Sequence, residues 1–480
     1  MYIVMITPEC APVAKVGGLG DVAQGLSYEL SIRGNAVELI LPKYDCMRYD
    51  RIWGLTLSYS GLRVPYFGGT IECNVWFGFV DGLKCFFIDP QSQHLFFNRG
   101  VFYGHGDDIE RFAFFCRAAL EFLQKSGRNP DIIHCHDWQT GLVPLLLFEL
   151  YKFQGMTHPR VCYTIHNIGH QGITGEHTLR QVGLDPGYHM RPDRVQHDSS
   201  PFAVNLMKTG IVFSNYVTTV SPRYADEVRT SDMGQGLQPV LNTHHAKFSG
   251  VLNGIDYNVW NPEIDRHIPF HYSMDDLLGK DEDQKALRHR LLLRDEAKPI
   301  VSVIGRLDWQ KGVDLVRHAM FYSLARGCQF VLLGSSPDAR INADFWRLKH
   351  DQNDNPDCHL ELGYNEELAH LIYAGADMIV IPSIYEPCGL TQMIGMKYGT
   401  VPVVRNTGGL ADTVTDAVNG FTFNDYNYEG LEWGLGRAID CWFRQPETFR
   451  QMVMDAMHVD YSWNRPATEY LRIYQTIREA

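Results

Sequence analysis

Tyr2-Ile3-Val4-Met5-Ile6, a glycine-bearing loop over residues 7–20, a helical period over 21–33, the turn Gly34-Asn35 and a second apolar run over 37–41 open the chain. Residues 2–6 are apolar and β-prone. Asp21 stands where a helix N-terminus favours an acid, and Gly34-Asn35 supplies the turn back. Strand, glycine loop, helix, strand is the opening of a parallel sheet. Short buried runs at 85–88, 132–135, 161–165 and 216–220 continue it, most of them alternating with helical stretches such as 108–124 and 141–153. Such alternation specifies an α/β fold whose parallel sheet is covered on both faces.

The pattern restarts after residue 298: a strand at 300–304, a helix at 312–326 and strands at 329–333, 359–362, 378–381 and 401–404. Between the halves, residues 261–297 are charged and weakly patterned and read as a connection. At 480 residues the chain exceeds what one core usually serves, so two doubly wound domains are expected. Ligands bind such sheets beyond the carboxyl ends of the strands, which places the expected site in a cleft between two domains. No short internal repeat is present beyond Gly-Gly-Leu at 17–19 and 408–410.

Composition narrows the function classes. A net charge of −13 argues against general affinity for nucleic acid or an anionic membrane. The N-terminus lacks the charged region and long apolar core of a signal peptide. The apolar run 142–150 is too short to span a bilayer and is broken by Pro144 and Glu149. Eleven cysteines without a CxxC pair fit reduced thiols, so a cytoplasmic location is expected, and neither a disulfide framework nor a zinc site is.

Three loops carry the chemistry. Lys15-Val16-Gly17-Gly18-Leu19-Gly20-Asp21 lies between strand and helix, where glycines let backbone N–H groups approach an anion. It matches neither a P-loop nor a dinucleotide fingerprint, and a ligand-free tight turn is the alternative. Gly305-Arg306-Leu307-Asp308-Trp309-Gln310-Lys311-Gly312 has the same placement in the second half. Two cations beside a helix N-terminus suit a diphosphate gaining charge as a sugar departs; solvated surface cations are the alternative. Glu386-Pro387-Cys388-Gly389-Leu390-Thr391 follows the 378–381 strand and offers a carboxylate to sugar hydroxyls, or else an acid on a helix dipole. Cys388 has no nearby His and reads as a packed small residue rather than a nucleophile.

His134-Cys135-His136-Asp137-Trp138 ends a strand. Two His at i, i+2 share a face without a third ligand, so Asp137 and Trp138 read as polar and stacking contacts and no metal is expected. His166-Asn167 ends another strand and is a similar candidate. Asp281-Glu282-Asp283 has a D-x-D spacing, but its charged helical setting reads as a solvated face.

Taken in this order, these segments resemble the bacterial glycogen synthase and plant starch synthase family. The resemblance spans essentially the whole chain: Ile6-Thr7-Pro8-Glu9 and the 15–21 loop, residues 134–142 and 163–172, Leu252-Asn253-Gly254-Ile255-Asp256, residues 305–312, Gly363-Tyr364, residues 384–392 and 399–409, and Ser462-Trp463. It implies a GT-B architecture with domains over 1–258 and 259–460 and a C-terminal helix over 461–480 returning to the first domain. It implies retaining transfer of glucose from ADP-glucose to the non-reducing end of an α-1,4-glucan (glycogen, starch or malto-oligosaccharide), with ADP released and no metal or other cofactor. If the chain is a trimmed catalytic region, the plastid stroma replaces the cytoplasm.

Carried over by the resemblance, Arg306 and Lys311 hold the diphosphate and Gly18 offers it a backbone donor. Tyr364 stacks on adenine, Glu386 binds glucose hydroxyls and His166 sits near the reacting centre. Asp137 and Lys15 line the donor–acceptor junction and Asn253 the closed cleft. Gly17, Asp21, Cys388, Gly389, Leu390 and Thr391 complete the substrate-binding set. Many retaining GT-B enzymes carry a second Glu eight residues after the first; here that position is Ile394, a departure the resembled family shares. Val16 stands where many bacterial members carry Thr, which resembles the starch synthase III and IV branch. Two other readings stand beside this one: a related glucosyltransferase using UDP-glucose or a small acceptor, and an inactive glucan-binding scaffold. A scaffold would be expected to lose Lys15, Asp137, His166, Arg306, Lys311 or Glu386, and all six are present.

Overall fold

Ile3, Val4, Met5 and Ile6 have no exposed surface, as a strand covered on both faces requires. In the computed structural model, which describes residues 1–479, this strand is the fifth of nine. Their order is Phe248–Gly250, Tyr216–Thr219, Arg160–Ile165, Ile132–His136, Tyr2–Ile6, Ala36–Pro42, Leu83–Pro90, Gly69–Val80 and Trp53–Tyr66. The first seven run parallel, and the last two form an antiparallel hairpin at the edge. A separate antiparallel sheet of three strands joins Ile173–Gly175, Ser200–Asn205 and Gln196–His197.

The second unit holds a six-stranded parallel sheet in the order Cys358–Leu362, Gln329–Ser335, Ile300–Arg306, Met378–Ile381, Val401–Arg405 and Phe421–Phe423. In both sheets the first parallel strand of the chain lies beside the fourth: Ile3 pairs with Ile132, and Val301 with Met378. That adjacency is the switch point of a doubly wound sheet, where the loops after the two strands diverge and leave a crevice.

The first unit comprises Met1–Gly254 and the chain from Trp463 onward; the second is Ile255–Ser462. The division falls a few residues from the boundaries expected at 258 and 460. The two crossing segments hold each other inside the second unit: Ile255 N–H donates to Tyr461 O at 2.8 Å, and Tyr461 N–H to Tyr257 Oη at 2.9 Å.

The helix Asn464–Glu479 belongs to the first unit. Tyr474 Oη lies 2.7 Å from His134 Nδ1, and Arg33 donates to Thr468 Oγ1 and Asn464 O. Trp463, 4% exposed, fills the space beside Gly25 in helix Gly18–Ile32; a Cβ at Gly25 would lie 2.0 Å from the indole nitrogen.

Three expectations from sequence are corrected. The stretch 261–297 is not a bare connection. Its helix Leu278–Arg290 and the residues after it place Leu287, Leu291 and Leu293 in the core with Ile300, Val331 and Ile372. Asp283 of the D-x-D is not on a solvated face: it is fully buried and accepts the Phe270 N–H at 3.0 Å. Burial pushes its carboxyl up to about 6. The helix read over 141–153 is a short α-turn, Val143–Leu146, continued by a π-turn over Leu147–Tyr151.

Gly25→Ala is expected to lower stability by about 1–3 kcal/mol, because helix backbone and a buried indole both resist displacement. Gly106→Ala, whose Cβ would enter open space, should stay within about 0.5 kcal/mol of wild type. Urea denaturation midpoints compare the two.

Candidate active site

In the first unit the chain leaves strand Tyr2–Ile6 into a loop organised by Glu9. Its buried carboxylate accepts the N–H groups of Val16 at 2.8 Å and Gly17 at 3.1 Å through one oxygen, and the Tyr103 hydroxyl at 2.8 Å through the other. Burial raises this carboxyl above the ordinary range against the pull of those hydrogen bonds. The sequence signal for Glu9 was only its place in the Ile6-Thr7-Pro8-Glu9 segment. Its effect corrects one expectation: the Gly17 N–H points to Glu9, so it is not open to an anion. The helix begins at Gly18, and no side chain caps its Gly17 N-cap. Lys15 and Asp21, both solvent-accessible, pair at 2.8 Å across the loop.

The loop after the fourth strand starts at Asp137, whose φ of 56° lies in the left-handed region. Its Oδ1 accepts the N–H of His166 at 2.7 Å and of Asn167 at 3.4 Å, which ties the ends of strands Ile132–His136 and Arg160–Ile165 together. Burial pushes the Asp137 carboxyl up to about 7, with the two backbone donors opposing. His166 Nε2 lies 3.0 Å from His136 Nδ1, and the His136 ring stacks on His134 at 4.3 Å. Burial lowers all three imidazoles, His134 and His166 to about 3, so they are neutral near pH 7. His134 and His136 thus position His166 through packing and hydrogen bonds. Asn253, after the last strand, is buried and its Oδ1 has no hydrogen-bond partner among the described residues.

The second unit repeats the plan with cations. Arg306 ends strand Ile300–Arg306 with its side chain 49% exposed, 3.6 Å from Asp308. Asp308 caps the following turn by accepting the Lys311 N–H at 3.1 Å. Gly312, at φ 70°, ends that turn, and a Cβ there would lie 2.4 Å from Pro382 O, so the position requires glycine. The turn aims Lys311 at the loop after the fourth strand, where Nζ meets Glu386 Oε2 at 2.6 Å. The same oxygen accepts the Ser383 hydroxyl at 2.9 Å, and Glu386 is 5% exposed.

The 388–391 segment is held from behind. Gln392 Nε2 donates to Cys388 O at 3.0 Å, Gly389 O at 2.9 Å and Thr413 Oγ1 at 3.1 Å. Cys388 is buried, Leu390 is the N-cap of helix Thr391–Lys397, and Ile394 faces the core at 5% exposure. Tyr364, beyond strand Cys358–Leu362, is 80% exposed. Sequence reasoning assigned Lys311 and Glu386 to different parts of a substrate; the structure brings them into direct contact. In the first unit it joins Asp137 to His166 and Lys15 to Asp21.

Because the folded state raises the Asp137 carboxyl from 3.8 to about 7, its contribution to stability is full below pH 4 and is lost as pH rises through 7. Asp137→Asn keeps an acceptor for both backbone N–H groups but does not titrate. Between pH 5 and 8 the wild type should therefore lose stability relative to this variant, as read from urea midpoints at each pH. A constant difference would remove the raised carboxyl.

Comparison with known proteins gives the family. Residues 2–243 match the starch synthase catalytic domain family, and residues 284–453 match glycosyl transferases group 1. The chain is 64% identical to glycogen synthase 1 of Nitrosococcus oceani, over the full length of both. It is 62% identical to glycogen synthase 2 of Methylococcus capsulatus, over 99% of each. The catalytic domain of starch synthase IV from Arabidopsis thaliana, solved with ADP and acarbose, superposes with a TM-score of 0.98 at 46% identity, covering 100% of this chain and 99% of that one. Sucrose-phosphate synthase of Thermosynechococcus elongatus, at 17% identity, TM-score 0.62 and coverage of 99% and 98%, shares the fold alone. The chain has the GT-B fold and belongs to the glycogen synthase and starch synthase family of glycosyltransferases.

Proposed function

We propose that this chain transfers glucose, with retention, from ADP-glucose to the non-reducing end of an α-1,4-glucan and releases ADP. The observation that carries this reading is the Lys311–Glu386 contact at the switch point of the second sheet, one loop from the end of Arg306's strand. A cation and an acid held at the ends of two adjacent strands suit a molecule with a diphosphate next to a sugar. The ADP in the starch synthase IV structure and the identity to glycogen synthases support the donor and the acceptor.

In this reading Arg306 and Lys311 take the diphosphate, and Lys311 exchanges part of its pairing with Glu386 for phosphate oxygen. Glu386 is then available to glucose hydroxyls. Tyr364 stacks on adenine, Gly18 N–H faces the phosphate, and Cys388, Gly389, Leu390 and Thr391 line the donor. Gly17 and Asp21 shape the loop that presents Lys15. Lys15, Asp137, His166 and Asn253 serve the acceptor side and the reacting centre. The bond from glucose C1 to the diphosphate breaks while the acceptor O4 bonds C1 on the same face, and the acceptor proton passes to the departing phosphate oxygen. The charge that develops there is balanced by fixed cations, which act without reorganising. We place the reaction in the cytoplasm without a metal cofactor; no described helix is long and apolar enough to cross a membrane.

ADP release from ADP-glucose, with and without glycogen and against UDP-glucose, tests the reading. Glycogen-dependent turnover of ADP-glucose is expected; turnover of UDP-glucose with a small acceptor alone would replace it with the related-transferase reading. Lys311→Ala should lower kcat by ~10²–10³, about 3–4 kcal/mol, and an unchanged kcat in the folded variant removes its role. Glu386→Ala should lower kcat strongly, whereas a rise in KM alone would make it a ground-state binder. Chelation with EDTA should leave the rate unchanged.

A further inference from the structure

The middle of a parallel sheet covered on both faces is ordinarily apolar, yet His134, His136, Thr164 and Thr218 meet there with no exposed surface. The register sets His136 opposite Thr164, and Thr164 opposite Thr218. Against them helix Asn464–Glu479 lays Tyr470 and Tyr474, one turn apart and both fully buried. The Tyr470 ring lies 5.3 Å from that of His134. Burying so many polar groups is costly unless each finds a partner, so the place of every proton in this cluster can be worked out.

Burial keeps the three imidazoles neutral near pH 7, so each carries one proton. Tyr474 has a single hydrogen-bond partner among the described residues, His134 Nδ1 at 2.7 Å, and its buried O–H therefore donates there. His134 then holds its proton on Nε2 and donates to Thr164 Oγ1 at 2.6 Å, and Thr164 donates to Thr218 Oγ1 at 2.6 Å. Held at both nitrogens, the His134 ring cannot turn, and the His136 ring lies on it at 4.3 Å and 29°. His136 Nε2 is buried with no partner among the described residues. A proton there would be a buried donor facing nothing, the rarer and costlier state. The proton sits instead on Nδ1, which donates to His166 Nε2 at 3.0 Å. With Nε2 accepting, His166 carries its own proton on Nδ1. Among the described residues none hydrogen-bonds that nitrogen, and His166 is only partly buried.

We propose that Tyr474 and His136 are positioning residues of the transfer centre: working inward from the C-terminal helix, they lock His166 in one tautomer, its proton on Nδ1. The proposal rests on the glucan-synthase reading above for what His166 meets, and on the buried cluster alone for where the protons lie. A ring free to change tautomer would present a donor to some encounters and a lone pair to others. A locked ring always presents the donor, and it does so without reorganising as the sugar departs. Its other nitrogen is already filled by His136, so His166 has no lone pair to take up the proton of the attacking hydroxyl. That agrees with passage of this proton to the departing phosphate oxygen.

Three variants and one spectrum test this. Tyr474→Phe removes only the hydroxyl, His136→Phe keeps the stacked ring but removes the donor, and His136→Asn returns an amide N–H near the place of Nδ1. Expected kcat losses are about three- to tenfold for Tyr474→Phe and roughly 10–100-fold for His136→Phe. KM for ADP-glucose and for glycogen should stay within about twofold of wild type, and His136→Asn should recover most of the lost rate. Two-bond proton–nitrogen correlation spectra of the substrate-free protein, labelled with nitrogen-15 histidine, read which ring nitrogen is protonated. Each signal is assigned by its loss in a variant of that residue. The proton is expected on Nδ1 in His136 and His166 and on Nε2 in His134. A proton on His166 Nε2 overturns the proposal, as does wild-type kcat in both Phe variants. A lowered Tm with wild-type kcat in the folded protein would make the stack purely structural and overturn it too. Should His136→Phe fail to fold, Tyr474→Phe and the wild-type spectrum still decide. If the wild type makes no glucan from ADP-glucose, the functional reading fails on its own, and the spectrum still tests the proton arrangement.

Discussion

In each of the two large sheets the chain's first parallel strand is hydrogen-bonded to its fourth, and everything chemical in the molecule hangs from that adjacency. Ile3 beside Ile132 and Val301 beside Met378 fix where the polypeptide must change direction. Connections that leave to opposite faces cannot fill the space between their first residues, so the carboxyl end of the sheet opens there. Glu9, Lys15 and Asp137 occupy that opening in one unit, and Arg306, Lys311 and Glu386 in the other. Residues far apart in sequence become neighbours because the strands beneath them pair, with no attraction between the residues needed.

What the openings hold differs in sign. In the first unit the backbone is bent around carboxylates. Glu9 gathers two N–H groups and a hydroxyl, and Asp137 gathers two N–H groups, and desolvation raises the pKa of each. These acids organise their loops, and the neutral His134–His136–His166 stack fills the space behind. In the second unit the cations are displayed: Arg306 is half-exposed and Lys311 is paired with one carboxylate oxygen. A half-buried ion pair at a strand end is held only while no better partner for the cation arrives. In the proposed reading a diphosphate is such a partner, and Glu386 changes its environment on binding.

The second unit also carries a buried polar frame remote from this chemistry. Lys280 Nζ donates to Ala374 O, Ala376 O, Tyr398 O and Thr400 Oγ1 at 2.9–3.2 Å, which satisfies an ammonium that burial lowers to about 8. Asp265 accepts from His370 at 2.6 Å and from Tyr398 at 2.5 Å, with Trp260 stacked on His370. Each of these contacts fastens the 260–283 stretch to the helices beside the sheet. That is why a charged, weakly patterned segment behaves as part of a core.

The sequence by itself determined the class of fold, the strands at the centre of each sheet and the loops where charge would gather. Period-two and period-3.6 patterns and glycine placement act within a few residues and are legible without contacts. The edge hairpin with Trp53 and Phe79 was not, because an edge strand exposed on most of its surface lacks the apolar run that marks a buried one. Nor was the fate of Asp283 or of the Gly17 N–H, since burial of one acid and capture of one donor depend on what arrives from elsewhere in the chain. Tertiary structure alone decided that Lys311 touches Glu386 and that Asp137 holds His166. Hydrogen bonds and desolvation are set by three-dimensional distance, which separations of 75 and 29 residues along the chain do not encode.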